Sequence, residues 1–224
     1  MIFEPSPNFD ERKERVSILV MHYTGMPTPR SAIDLLKSPR AAVSAHYIVD
    51  EDGTIYNLVP EAKRAWHAGV SFWRGKRMLN DASIGIEIVN PGHEWGYRPF
   101  PRAQMQALLG LSEGIIARHG IEARNIVAHS DIAPDRKQDP GELFDWPWFV
   151  AFGVGVWTEE FDAPGDVWED LAAIGYDVGL PKRDVILAFQ RHFLPRNLTG
   201  EVDEITSARA AAVRRVVDAP GNRP

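Results

Sequence analysis

Five residues of this 224-residue chain are of types that could do chemistry together, provided the fold gathers them. His22 follows an apolar run at 16–21 (VSILVM), and Glu87 sits inside another at 84–89 (IGIEIV). His129 opens the segment Ala128-His129-Ser130-Asp131-Ile132-Ala133-Pro134-Asp135-Arg136-Lys137-Gln138-Asp139-Pro140-Gly141, which also carries Lys137 and Asp139. A catalytic zinc takes three protein ligands and keeps one position open. Two histidines and an aspartate would meet that need with nitrogen and oxygen donors alone. The chain has no cysteine, so a tightly held metal can use only His, Asp or Glu. Glu87 raises a separate question, because a buried carboxylate is costly unless it is paired or ligates a metal. On a strand it shares a face with Gly85 and Val89, while Ile86 and Ile88 point the other way. Glycine beside it leaves room for a cavity. An exposed face or a structural ion pair is the alternative, and a lone histidine is more often structural than a ligand. Spacing alone leaves both readings open.

These residues need elements that bring them together. Residues 16–21 and 84–89 are short, apolar and rich in β-branched types, as buried strands are. Thr28-Pro29 supplies a helix N-cap and a first-turn proline, and Ile33, Leu35 and Leu36 fit a short helix. Residues 46–50 (HYIVD) and 54–59 (TIYNLV) flank Glu51-Asp52-Gly53 and predict a hairpin. The clearest predicted helix covers 101–119, with Met105, Leu108, Leu109, Ile115 and Ile116 on one stripe and Gly120 at its end. Residues 124–128 predict a short strand leading into His129. Residues 1–15 are polar and carry two prolines, which predicts an arm or loop. Residues 61–82 mix glycines, aromatics and basic side chains and predict an irregular substrate-binding loop. The alternation implies an α/β class, a central mixed β-sheet flanked by helices.

Composition narrows the function classes. Hydrophobic residues make up 44% and charged residues 25%, which is ordinary for a globular chain and excludes disorder as a whole. The length suits one domain with a small appendage. A net charge of −6 with no long basic block argues against a general phosphate-backbone or membrane-surface binder, so neither nucleic acid nor membrane is an expected partner. No apolar run approaches the roughly 20 residues of a bilayer span. Met1 to Pro7 lacks the basic and apolar regions of a secretory leader, so a cytoplasmic location is expected; a trimmed or otherwise exported chain would be periplasmic. A monomer is expected.

Motifs in order carry more than any one residue. His22-Tyr23-Thr24, Ser44-Ala45-His46, Arg64-Ala65-Trp66-His67-Ala68-Gly69, Ser83-Ile84-Gly85-Ile86-Glu87 and the segment from Ala128 to Gly141 resemble the type 2 N-acetylmuramoyl-L-alanine amidases, the AmpD- and AmiD-like zinc enzymes. The likeness covers roughly residues 16–150. It implies one Zn2+ per chain held by His22, His129 and Asp139, with Glu87 as the catalytic carboxylate and Lys137 facing the developing oxyanion. It implies hydrolysis of the amide between N-acetylmuramic acid, or its 1,6-anhydro form, and L-alanine in peptidoglycan or muropeptides. Arg40, Arg64, Trp66, His67 and Asn80 are the expected substrate-binding residues, through ring stacking on the sugar and arginine forks on a peptide carboxylate. Trp66 could equally be a core anchor. His46, His93 and His192 are assigned to no metal. A non-catalytic peptidoglycan-recognition module and a regulatory protein reusing the fold are the competing readings. Relatives of that kind typically lack ligands that this chain keeps.

The acidic stretch 159–165, with Pro164, marks an expected boundary between a zinc amidase domain at 1–158 and a helical region at 163–224. Three helices are predicted near 166–174, 182–193 and 203–217. Leu171, Gly175-Tyr176, Val185, Ala188-Phe189-Gln190 and Thr206 resemble small three-helix peptidoglycan-binding domains. The usual glycine-rich turn before the last helix is altered to Thr199-Gly200-Glu201-Val202-Asp203. A helical cap on the amidase is the alternative for this part.

Overall fold

The structure is a computed structural model in which residues 1–219 are described. In chain order the first half contains β1 (Ile2–Phe3), β2 (Phe9–Glu11), β3 (Ile18–Tyr23), α1 (Pro29–Lys37), β4 (Tyr47–Val49), β5 (Ile55–Asn57), β6 (Lys63–Ala65), β7 (Phe72–Trp73), β8 (Lys76–Arg77) and β9 (Ser83–Ile88). The second half contains α2 (Gly92–Trp95), α3 (Arg102–His119), β10 (Ile126–Ala128), α4 (His129–Ile132), α5 (Trp146–Ala151), α6 (Val167–Ile174), α7 (Lys182–Phe193) and α8 (Glu204–Asp218). Six strands form one sheet in the order β1-β5-β4-β9-β3-β10. It is mixed: β4 and β5 are the expected antiparallel hairpin, while β4–β9, β9–β3 and β3–β10 are parallel. The expected class is therefore the observed one.

Local signals explain several elements. Thr28 caps α1 by accepting from the Ser31 N–H at 3.1 Å, and Pro29 opens the helix. Gly120 ends α3 in the left-handed region at φ 65°. Three expectations shift. His22 lies inside β3, one residue before its end. Residues 1–15 are not a bare arm: β1 extends the sheet edge beside β5, and β2 pairs with β6. Residues 61–82 hold β6 and the β7–β8 hairpin.

Strand alternation sends side chains to two covered faces. Leu19, Met21, Ile84, Ile86, Ile88 and Ile126 pack under α3 together with Trp146 and Phe149. Ile18, Val20 and Val127, on the other face, share a cluster with Trp73, Leu79 and the C-terminal Leu171, Val185, Phe189 and Val213. The three C-terminal helices thus form the layer over that second face. The last residues of the expected 163–224 region, 220–224, lie outside the described residues. Among the described residues no helix is long and apolar enough to cross a membrane.

Candidate functional site

Register gathers the chemistry. In the parallel pair β3–β9, His22 stands directly opposite Glu87. In β3–β10, Met21 stands opposite Ala128, so His129, the next residue, emerges beside His22. Three parallel strands therefore deliver His22, Glu87 and His129 to one end of the sheet. Asp139 returns on the loop after α4, where its carbonyl accepts from the Ser130 N–H at 3.0 Å. Asp131 anchors the start of α4 from below, accepting from the Ala128 N–H at 2.8 Å, the Tyr176 hydroxyl at 2.7 Å and His192 Nδ1–H at 2.7 Å.

The result is a tight triangle. His22 Nδ1 and His129 Nδ1 are 2.8 Å apart, and Asp139 Oδ2 lies 3.2 Å from the first and 2.9 Å from the second. All three residues are buried. A tetrahedral zinc with bonds of about 2.0–2.1 Å needs ligand atoms roughly 3.3 Å apart. The triangle is of that size, and its donor set is one that zinc accepts. Burial first, then the neighbouring His129, lowers His22 to about 4, so its imidazole is neutral and its lone pair free at ordinary pH. Burial alone would raise Asp139, but the two imidazoles beside it win and hold its carboxylate well below the usual range.

Glu87 has a carboxylate oxygen, Oε2, that is buried and without a hydrogen-bond partner among the described residues. Burial first, then the charge of Asp139, pushes its pKa well above the usual carboxylate value, and Lys137 draws it partly back. A carboxylate raised in this way holds a proton more readily than an exposed one. Glu87, Lys137, Asp139 and His129 all line a cavity of about 420 Å³, whose walls also include Trp66 and Leu35.

The expected substrate-binding residues divide. Trp66, half-buried, lines the cavity. His67 reaches it too but is only 9% exposed and sits behind His22. Arg64 is forked onto Asp10 at 2.5 and 2.6 Å and is not among the cavity-lining residues. Asn80 accepts from the backbone N–H groups of His67 and Ala68, so it shapes the loop from outside the cavity. Arg40 is exposed after α1 and is not among the cavity-lining residues. Sequence reasoning missed Tyr23 and His93, whose side chains meet at 2.9 Å on the cavity wall. Tyr23 lay within a quoted motif, but His93 in its Pro-Gly loop carried no local signal.

Comparisons with known proteins give the family. A family model described as N-acetylmuramoyl-L-alanine amidase matches residues 12–142. The N-acetylmuramoyl-L-alanine amidase AmiD of Escherichia coli K12 is 41% identical over 230 residues, covering 89% of this chain and 82% of that protein. The solved complex of E. coli AmiD with anhydro-N-acetylmuramic acid-L-Ala-D-gamma-Glu-L-Lys superposes with a TM-score of 0.81 at 38% identity, covering 93% of this chain and 97% of that one. The 1,6-anhydro-N-acetylmuramyl-L-alanine amidase AmpD of Enterobacter cloacae is 37% identical over 166 residues, 66% of this chain and 87% of that protein. With most of each relative spanned and the family model matching more than half of the sequence, this chain belongs to the N-acetylmuramoyl-L-alanine amidase family.

Proposed function

We propose that this chain is a zinc-dependent hydrolase that cuts the amide bond between N-acetylmuramic or 1,6-anhydro-N-acetylmuramic acid and L-alanine, in peptidoglycan or its fragments, during cell-wall turnover. The observation that carries the proposal is the alignment of His22 with Glu87 across two parallel strands, beside the His22–His129–Asp139 triangle, with Glu87, His129 and Asp139 lining one cavity. His22, His129 and Asp139 would hold the zinc. When bound, zinc supplies a Lewis acid for the amide carbonyl and acidifies water toward a pKa of about 7. Glu87 takes the proton from the attacking water and returns it to the alanine nitrogen as the C–N bond breaks. Its raised pKa suits both halves of that transfer. Lys137, on the cavity wall, faces the oxyanion that develops on the carbonyl. Trp66 offers a ring face to the sugar or its lactyl arm.

The test is mass spectrometry of the products from anhydro-muropeptides and from purified sacculi, run side by side with the zinc-loaded chain. Release of peptides beginning with L-alanine is expected. Intact starting material with stoichiometric zinc would refute the proposal. In the same assay Glu87→Gln should keep its zinc and lose about 10²–10⁴-fold in turnover. An unchanged rate would place the proton transfer on another group.

A further inference from the structure

Behind the candidate metal centre lies a chain of hydrogen bonds whose direction can be worked out from its far end. Ser83 Oγ has one proton, and it stands 2.6 Å from the Leu79 carbonyl oxygen, which can only accept. The hydroxyl therefore donates there. His67 Nε2 lies 3.2 Å from the same Oγ and must be the donor to it. A neutral imidazole with its proton on Nε2 has a bare Nδ1. His67 Nδ1 is 3.0 Å from His22 Nε2, so His22 donates. His22 in turn carries its proton on Nε2 and turns a bare Nδ1 toward His129 and Asp139.

We infer that His67 is a positioning residue for the metal: it fixes the tautomer and ring orientation of His22 through the relay Leu79–Ser83–His67–His22. This rests on the zinc reading above and assigns His67 to the metal side of the cavity rather than to substrate contact. Two further features support it. A Cβ added at Gly85 would sit 2.4 Å from His67 Cγ and Nδ1, so the glycine in the middle of β9 is what admits the ring behind His22. Asn80 accepts from the backbone N–H groups of both His67 and Ala68, which fixes the ring's base. The other histidine of the triangle has no such support, since His129 Nε2 is buried without a hydrogen-bond partner among the described residues. Partners behind a metal-bound histidine typically change metal affinity by about 10–100-fold when removed.

The experiment compares zinc affinity, by chelator competition, across the wild-type chain and three variants. His67→Phe fills the space without an acceptor and is expected to bind zinc about 10–100-fold more weakly. His67→Gln, whose amide nitrogen stands near the Nε2 position, is expected to behave like Phe. His67→Asn keeps an acceptor oxygen near the Nδ1 position and is expected to stay within a few-fold of wild type. Long-range nitrogen–proton NMR of the zinc-loaded wild type should show the proton on Nε2 in both His67 and His22, a reading that depends on no variant folding. A wild-type chain that takes up no zinc overturns both this inference and the zinc reading. If the wild type binds, then a His67→Phe chain of undiminished affinity, or a His67 ring protonated on Nδ1, overturns the inference alone.

Discussion

Two buried aspartates eight residues apart each meet imidazole, and they could hardly be used more differently. Asp131 accepts from three genuine donors: the Tyr176 hydroxyl on one oxygen, His192 Nδ1–H and the Ala128 N–H on the other. Each of those three protons has an acceptor, although His192 Nε2 is buried without a hydrogen-bond partner among the described residues. Asp139 offers one oxygen to two imidazole nitrogens that also face each other at 2.8 Å. With His22 protonated on its far nitrogen, at least one of those three contacts has no proton to share. A cation supplies what protons cannot. Residue types do not separate a candidate metal site from a structural clamp; the accounting of donors and acceptors does.

Exchanging the two aspartates' roles by mutation would break this comparison. Asp139→Ala is expected to remove zinc and with it essentially all turnover. The zinc-free chain should still fold, with a urea midpoint modestly below wild type because the contacts of Asp139 with both imidazoles are lost. Metal analysis with urea unfolding of the zinc-free form checks both halves, and a large loss of zinc-free stability would make Asp139 a structural residue as well. His192→Phe is expected to do the reverse. It removes one of three hydrogen bonds to the wholly buried Asp131, a loss of about 1.5–3 kcal/mol for a bond to a charged group, while zinc stays at one per folded chain. The effect also crosses the expected 158/163 boundary, since His192 lies on α7 and Asp131 on α4. Unchanged urea unfolding in this variant would show that the helical layer is only loosely attached.

Legibility in the sequence followed the range of each signal. β3 and β9 were readable because unbroken apolar runs need no partner to be recognised. The caps at Thr28 and Gly120 were readable because they act within one turn. Strands β1, β2, β6, β7 and β8 were not, since they are two or three residues long and, unlike β4, β5 and β10, are not set in longer β-prone runs. The candidate ligands and Glu87 were found through motifs in order, yet the reason they meet is the register of β3, β9 and β10, which no local spacing encodes. His67 read as a loop residue near substrate. Its place behind His22 depends on a missing side chain at Gly85, eighteen positions later. The Asp131 clamp was hidden for the same reason, because its partners stand 45 and 61 residues away.

A third carboxylate sharpens the contrast from the solvent side. Glu61 accepts from Tyr47 at 2.7 Å, from Arg118 at 2.5 Å and from His119 Nε2 at 2.6 Å, tying the segment after β5 to the end of α3. Burial opposes its ionisation, but these hydrogen bonds win and lower its pKa from 4.5 to about 2. The folded value lies below the unfolded one, so the stabilisation is complete above pH 4.5 and fades as the pH falls toward 2. Arg118 is half-exposed, and water screens part of the interaction, which leaves about 1–2 kcal/mol at neutral pH. Glu61→Gln should therefore be less stable than wild type by that amount at pH 6, and the gap should shrink by at least half at pH 3. The His22–His129–Asp139 group is the same in both chains, so its own pH dependence cancels from their difference. A gap that stays constant with pH would mean that Glu61 acts through the packing of its chain and not through its charge. The gradation from Asp139 through Asp131 to Glu61 would then lose its outermost member.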